Sequence, residues 1–237
     1  MPKAYAEWKV LPHLGLQQVS DNLWRLQGSL ERMGLKRVMT VARRDDGGLV
    51  LHSPIAVDDT TRLQIEELGP PAYFVVPNGF HRLDSPAYKC RYPEAKIVCP
   101  SGSQKKVEEV LPVDLTYAEF PHDRSTVLRE VEGIGEVEGV MIVRSHDGVT
   151  LVFNDLIFNA PHGKGLAGFV FRYVTDSTGG PKISRLARWL LMKDRSALKR
   201  DLMALAATED LKRIVVSHHR MISEDAAATL RGVASRL

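Results

Sequence analysis

Hydrophobic residues alternate with polar ones near the start of the chain, with the period of two that is typical of β-strands. Residues 19–27 and 37–42 carry this pattern. A turn at residues 45–48 follows, and its Asp-Gly pair supplies the positive φ angles that a tight hairpin requires. Residues 49–53 are therefore predicted to return antiparallel to the preceding strand, so that the chain begins as a β-meander.

After Pro54 the hydrophobic period lengthens from two towards four, which indicates that helices now alternate with strands. The predicted elements are a helix at residues 60–68 capped by Asp58 or Asp59 and closed by Gly69, strands at 72–76 and 96–99, and a helix from the capping-box residues Ser101 and Gln104 to Pro112. This stretch predicts an α/β arrangement.

The second half of the chain repeats the order of meander, helix and strand. The hydrophobic pattern is weak at residues 115–134, and it then predicts a hairpin of residues 140–143 and 150–153 followed by a loop at 159–168. The remaining predicted elements are helices at 183–190 and 198–205, a strand at 211–216, and a last helix capped by Ser223 and reaching Leu237. Length and patterning together predict one domain over residues 1–237.

The amino-acid composition limits the kinds of partner that the protein is expected to bind. Apolar residues make up 44% of the chain and charged residues 26%, as in ordinary globular proteins. The net charge of +3 is too small to indicate a nucleic-acid partner. No stretch approaches the roughly 20 apolar residues of a spanning helix, and the start lacks a signal-peptide pattern. We therefore expect a cytoplasmic protein without a membrane partner.

Polar residues follow three predicted strands at the points where those strands end. Residues 77–84 come after the apolar run 72–76, Asp155 follows the second hairpin, and His218 and His219 follow the last strand. Open α/β sheets place their chemistry at such strand ends. The loop at residues 77–84 is therefore interpreted as the relic, or a variant, of a metal-binding loop.

Several segments resemble the metallo-β-lactamase superfamily over residues 16–237. The segment Val152-Phe153-Asn154-Asp155-Leu156-Ile157-Phe158 is similar to the family's Phe-x-Gly-Asp-x-Leu-Phe, residues 22–26 to its opening strand, and residues 215–218 to its last strand and histidine. Ser53-Pro54-Ile55, Pro77-Asn78 with His81, and Ser217-His218 further resemble an uncharacterised branch of that superfamily. The resemblance implies a four-layer αββα sandwich, with two mixed sheets flanked by helices.

The same resemblance shows where this chain departs from the family. The superfamily's His-x-His-x-Asp-His loop is replaced, in register, by Asn78, Phe80, Arg82 and Leu83. The histidine of a later Gly-His pair has become Glu136. Asp155 resembles the family's metal-bridging aspartate and His218 its late ligand.

The remaining donors suit one metal ion. Zinc accepts imidazole nitrogen and carboxylate oxygen, so His81, Asp155 and His218, with Glu136 as a fourth ligand, form the predicted site, with iron or manganese as alternatives. A two-metal centre needs more ligands than remain. The competing interpretation is that no metal binds and that these side chains hydrogen bond to loop backbone.

Individual residues at this site have two interpretations each. Asp155 and His81 are the predicted catalytic residues. Arg82 would repel a metal and bind an anionic ligand instead, and Asn78 is either a ligand-binding residue or a turn residue. Only one of the adjacent His218 and His219 can face the site.

Two functions follow from this sequence. The first is a metal-dependent hydrolase of unknown substrate, and the second is a non-catalytic protein of the same fold that binds a small ligand or has a structural role. A basic stripe between Lys182 and Arg200 is interpreted as a solvated helix face. The substrate and the oligomeric state stay open.

Overall fold

A computed structural model of the protein describes residues 3–31, 33–163 and 165–237, and its first sheet has seven strands. In spatial order these are β1 (Gln17–Ser20), β2 (Leu23–Leu30), β3 (Met33–Arg43), β4 (Leu49–His52), β5 (Pro71–Val75), β6 (Lys96–Cys99) and β7 (Leu115–Thr116). Strands β1 to β4 pair antiparallel and β4 to β7 pair parallel. The predicted β-meander is confirmed, and Gly47 adopts a φ of 85° in its turn.

The second sheet has four strands in the order β11-β10-β9-β8. They are β8 (Thr126–Glu130), β9 (Gly139–Ser145), β10 (Gly148–Val152) and β11 (Leu211–Val215). Strands β9 and β10 form the predicted hairpin, and β11 pairs parallel to β10. Strand β8 was missed, because its five residues include the polar Thr126, Arg129 and Glu130 and so carry little hydrophobic pattern.

Seven helices flank the two sheets in the described part of the chain. They are α1 (Asp59–Leu68), α2 (Ser85–Arg91), α3 (Gln104–Val107), α4 (Gly165–Phe169), α5 (Arg185–Leu191), α6 (Arg195–Ala206) and α7 (Ala226–Ser235), with a 3-10 turn at Ser101–Ser103 and a π-helical segment at Val170–Val174. The predicted cap of α1 is confirmed, since the Asp58 carboxylate accepts a hydrogen bond from the Thr61 amide at 2.8 Å.

Three predicted helix features were wrong. The Ser101 hydroxyl donates to Glu136 and does not cap a helix. The helix that follows is short, and it ends at Val107, well before Pro112. The predicted loop at 159–168 contains the start of α4, although Lys164 in it lies outside the described residues. The last helix begins after Asp225 in a left-handed conformation, two residues beyond the predicted cap Ser223.

Buried side chains form three layers that correspond to an αββα sandwich. One layer lies between the first sheet and α1 to α3, and includes Phe74 and Ile97. A second lies between the sheets and includes Val50 and Val215. The third lies between the second sheet and helices α5 to α7, with Leu202 among its members. The four-layer architecture implied by the resemblance is therefore confirmed.

Candidate metal centre

Three side chains from three strand ends meet at one point. His81 lies in the loop after β5, Asp155 follows β10, and His218 follows β11. One ligand atom of each lies within 4.8 Å of the others. The Oδ1 atom of Asp155 is 3.2 Å from Nε2 of His81 and 2.9 Å from Nε2 of His218. The structure thus brings together three of the four predicted metal ligands.

Backbone and hydroxyl groups orient the two imidazoles. Nδ1 of His218 lies 2.7 Å from the carbonyl oxygen of Lys36. Because a carbonyl oxygen can only accept, Nδ1 of His218 donates to Lys36, and Nε2 is the ring atom that faces Asp155. Nδ1 of His81 lies 3.0 Å from the Ser53 hydroxyl oxygen. The Phe158 ring stacks on His218 with a centroid distance of 5.2 Å.

This geometry fits a bound cation. Nε2 of His218 and a carboxylate oxygen of Asp155 lie 2.9 Å apart, and either a proton or a metal ion between these two atoms makes the contact favourable. Backbone carbonyls commonly fix metal-binding histidines through the other ring nitrogen in this way. Two imidazole nitrogens and one carboxylate oxygen are also a donor set that zinc accepts in catalytic sites.

Asp155 is ionised despite its partly buried position. Burial opposes the charge, but the nearby imidazoles of His81 and His218 outweigh it and hold the pKa of Asp155 well below its ordinary value. Its second oxygen, Oδ2, accepts a hydrogen bond from the Asn78 amide at 2.9 Å. Asp155 is therefore a negatively charged ligand with one oxygen held in place and the other facing both imidazoles.

Glu138 organises the loop that carries Asp155, and sequence reasoning missed it. This fully buried carboxylate accepts four hydrogen bonds of 2.9 to 3.1 Å, from the backbone amides of Asn154, Asp155 and Leu156 and from the side chain of Asn78. Burial, and then the neighbouring Asp155 carboxylate, raise the pKa of Glu138 to about 8. The only signal in the sequence was one acidic residue among the hydrophobic residues 137–143.

The predicted fourth ligand, Glu136, lies outside the group. Its carboxylate accepts a hydrogen bond from the Ser101 hydroxyl at 2.9 Å, and its backbone is left-handed with a φ of 58°. The turn directs this exposed side chain towards the 3-10 turn at Ser101–Ser103 and away from Asp155. The structure therefore does not support Glu136 as a metal ligand.

Arg82 is paired with an acidic side chain of its own chain. Its side chain is 8% exposed, and Nη1 donates to the carbonyl oxygen of Lys106 and to the Glu109 carboxylate, the latter at 3.0 Å. Hydrogen bonds from Lys106 and Arg82 lower the pKa of Glu109 to about 2. Nη1 of Arg82 is therefore engaged by Lys106 and Glu109, and the residue also lines the cavity beside Asp155.

Replacing Arg82 with methionine tests this assignment. We expect a loss of about 1–2 kcal/mol in the free energy of unfolding, because the partly buried carbonyl of Lys106 loses its donor. Metal affinity should stay unchanged, since Arg82 is not one of the three candidate ligands and its hydrogen bonds go to Lys106 and Glu109. Urea denaturation and calorimetric titration with Zn²⁺ measure the two quantities. A large change in metal affinity at unchanged stability would instead place Arg82 in the site.

Asn78 is a turn residue and also a partner of the site. Its Oδ1 atom accepts hydrogen bonds from the backbone amides of Phe80 and His81, at 2.8 and 3.1 Å. Its amide nitrogen donates to both Asp155 and Glu138. The turn role considered for Asn78 is thus present, and it links the loop of His81 to the loop of Asp155.

The remaining candidates lie elsewhere. His219 adopts a φ of 68°, and its carbonyl oxygen accepts from Arg25 and Gln27, so that His218 and not His219 belongs to the group. Asp84, the last residue of the loop at 77–84, forms a buried ion pair with Arg37.

A cavity of about 560 Å³ opens directly beside the three residues. Its walls are mainly apolar and include Pro54, Phe80, Phe158, Leu186 and Leu190. Ligand pockets of this size, apolar with a few convergent polar groups, are typical of small-molecule sites.

Comparison with known proteins agrees with the architecture. The metallo-β-lactamase FIM-1 from Pseudomonas aeruginosa in its mono-zinc form superposes with a TM-score of 0.60 at 14% identity, covering 99% of this chain and 97% of that one. A metallo-β-lactamase from Erythrobacter litoralis gives 0.61 at 13%, covering 94% and 96%. One from Pontibacter korlensis gives 0.59 at 11%, covering 95% and 100%. No family model and no curated protein matches the sequence.

The chain therefore has the metallo-β-lactamase fold, as its sequence resemblance implied. Two mixed sheets flanked by helices carry a group of two histidines and one aspartate where the strands end. In the part of the chain that the structure describes, no helix has the length and hydrophobicity needed to cross a membrane.

Proposed function

We propose that the protein is a metal-dependent hydrolase with one divalent ion, bound by His81, Asp155 and His218. The observation that carries this proposal is the convergence of Nε2 of His81 and Nε2 of His218 on Oδ1 of Asp155, at 3.2 and 2.9 Å. The donor set favours zinc, with iron and manganese as alternatives.

When bound, a divalent ion would lower the pKa of water to near neutrality and polarise the carbonyl or phosphoryl group of a substrate. The chain's own residues prepare the site for this chemistry. Asn78 fixes one oxygen of Asp155, the Lys36 carbonyl fixes the ring of His218, and Ser53 contacts the ring of His81. The ligands are therefore held in their orientations before any substrate arrives.

Asp155 and His81 are the residues proposed to move protons. The partly exposed Asp155 carboxylate lines the cavity and is ionised, so it can accept a proton from an attacking water molecule. Nε2 of His81, 3.2 Å from this carboxylate, is the atom that would hold the ion, so the other ring nitrogen must carry any proton. Nδ1 lies 3.0 Å from the Ser53 hydroxyl oxygen, and His81 can exchange a proton at that position.

Hydrolysis by protein with and without metal tests the proposal. Zinc-loaded protein is expected to hydrolyse at least one member of a panel of chromogenic carboxyl esters, amides and phosphoesters, and protein stripped with chelator should lose that activity and regain it with zinc. The matched control is His162→Ala, because this histidine contacts Thr178 away from the group. Activity that survives both chelation and His81→Ala would contradict the proposal.

The second candidate function is that of a non-catalytic binding protein. The observation that favours it is that the four positions of the superfamily's metal loop are occupied by Asn78, Phe80, Arg82 and Leu83, and that Arg82 is engaged by Glu109. The apolar cavity would then bind a small ligand without turnover. Metal-independent ligand binding, with no hydrolysis of the panel, is the result expected for this alternative.

A further inference from the structure

The helical segment that follows residue 164 turns an apolar face outwards. Leu166, Phe169, Val170, Tyr173 and Val174 are all exposed, with Leu166 at 82%. Their spacing of i, i+3, i+4, i+7 and i+8 is that of one helical face. In a globular protein such a face normally packs on the core. Here it extends over α4 and the π-helical segment and faces solvent.

Helix α5 extends this apolar surface. Ala187 and Leu191 face the core, and the opposite side of the helix should therefore be polar. Instead it carries Trp189, at 80% exposure, and Leu186 and Leu190 are exposed on the flank that also lines the cavity. These exposed apolar side chains extend the surface of the preceding segment.

The two segments form one continuous surface. The guanidinium of Arg185 on α5 donates to the carbonyl oxygen of Tyr173 at 2.9 Å, which joins α5 to the π-helical segment. The apolar residues of this surface, called the outer apolar surface below, are Leu166, Phe169, Val170, Tyr173, Val174, Leu186, Trp189 and Leu190. They are eight of the thirteen large exposed hydrophobic residues in the described chain. Such a concentration marks an interaction site, because soluble surfaces usually carry these residues singly.

Positive charges surround the outer apolar surface. The basic residues here are Arg172, Arg185, Arg188, Lys193 and Arg195. None of these five forms an ion pair with an acidic side chain of the described residues. The nearby acids are already engaged, since Asp176 pairs with Lys182 and Asp194 caps α6. The guanidinium of Arg172 lies 5.1 Å from the centroid of the Tyr173 ring, so that charge and apolar surface are in direct contact.

We propose that the outer apolar surface docks the protein on an anionic lipid bilayer. Apolar side chains would enter the region between headgroups and acyl chains, and the arginines would contact the headgroup phosphates, as on interfacial amphipathic helices. Self-association through the same face is less favourable, because a two-fold interface would oppose two copies of the same basic surface. The expectation of no membrane partner rested on the lack of a spanning segment and on the small net charge, and neither excludes a contact with the bilayer surface through one local patch.

Docking would also position the cavity. Leu186 and Leu190 belong both to the outer apolar surface and to the wall of the cavity beside Asp155. An apolar molecule could therefore pass from the bilayer into the cavity without crossing water. The docking itself does not depend on the proposed hydrolase function, because it involves neither the metal ligands nor turnover.

Vesicle binding tests the proposal with the full chain. We expect binding to vesicles of phosphatidylcholine with phosphatidylserine, weaker binding to phosphatidylcholine alone, and weakening by salt. Trp189 should report binding through a blue shift of its fluorescence as it leaves water, and Trp189→Phe should remove that shift. Leu166→Glu with Phe169→Glu should weaken binding more than tenfold, since burial of each large side chain contributes about tenfold.

The control is Leu63→Glu on α1, an exposed leucine beside the first sheet, which should leave vesicle binding unchanged. Unchanged melting temperatures of the exposed-surface variants show that their folds are intact. The proposal is overturned if no vesicle is bound, or if the double variant binds as the wild type does. A concentration-dependent dimer that the double variant abolishes, without vesicle binding, would assign this face to self-association instead.

Discussion

Replacing Asp155 with asparagine is expected to abolish stoichiometric binding of Zn²⁺. The carboxylate is the one negatively charged group of the proposed site, and its Oδ1 atom faces both imidazoles. Asparagine has the same shape but no charge, and its amide nitrogen, which cannot bind a metal ion, would replace one of the two carboxylate oxygens. Since loss of an outer partner alone lowers metal affinity about 10–100-fold, we expect loss of a ligand to lower it more than 100-fold.

Calorimetric titration of the metal-free protein measures this affinity. Asp147→Asn is the matched control, because Asp147 also accepts strong hydrogen bonds from a cationic partner, Arg213, but lies far from the site. The control should bind zinc as the wild type does. Retention of wild-type affinity in Asp155→Asn would show that the metal, if bound, is held elsewhere.

Replacing Glu138 with glutamine is expected to have the largest effect on stability. The carboxylate accepts hydrogen bonds from four N–H donors, whereas the glutamine amide offers one oxygen and places its own N–H groups against two of those donors. Buried donors left without acceptors should lower the free energy of unfolding by about 2–4 kcal/mol. Because the same donors shape the Asp155 loop, zinc affinity should also fall about 10–100-fold.

Urea denaturation of metal-free protein gives the stability difference. Glu119→Gln is a suitable control, since this exposed carboxylate bonds only to Thr116 of its own turn. We expect a change of less than about 1 kcal/mol there. A similarly small effect of Glu138→Gln would show that Glu138 does not hold the loop.

The difference in free energy of unfolding between the wild type and Glu138→Gln should change with pH in a defined direction. The pKa of Glu138 is raised from 4.5 to about 8 by burial and by Asp155, so the folded state holds its proton more tightly than the unfolded state does. The contribution of Glu138 to the stability of the folded state is complete below pH 4.5 and is lost as pH rises towards 8. His52, whose pKa burial lowers to about 3, acts in the opposite direction between pH 3 and 6.5.

Comparison of wild type with Glu138→Gln removes the contribution of His52, which both proteins share. The stability advantage of the wild type should therefore shrink as pH rises from 5 to 8. An advantage that is constant over this range would contradict a raised pKa.

Much of the fold could be predicted from the sequence, because strong local patterns coincide with the tertiary structure. The hairpin around Gly47 has its turn chemistry in two residues, and the Asp58 cap precedes a clear helical period. Strand β8 and helix α2 could not be predicted in this way. Both are short, and tertiary packing of residues such as Leu128 and Tyr88 stabilises them more than their local pattern does.

The site residues could be predicted only where they directly follow a strand, because the end of the strand then determines where the side chain lies. Asp155 and His218 directly follow β10 and β11, and the sheet brings them together. Orientation in the intervening loops depends on contacts that a sequence does not display. The left-handed turn at Glu136 directs that carboxylate to Ser101, and Glu138, two residues later, is buried beneath Asp155. Arg82 likewise found a partner in Glu109, distant in sequence.

The central claim is that His81, Asp155 and His218 bind one metal ion. Elemental analysis of protein purified without chelator, combined with X-ray absorption at the edge of the metal found, tests it most directly. The account predicts one zinc, iron or manganese per chain, with two imidazole nitrogens and a carboxylate oxygen among its ligands, and loss of that metal in His218→Ala. Protein without stoichiometric metal, and with no rise in melting temperature when zinc, iron or manganese is added, would contradict the account.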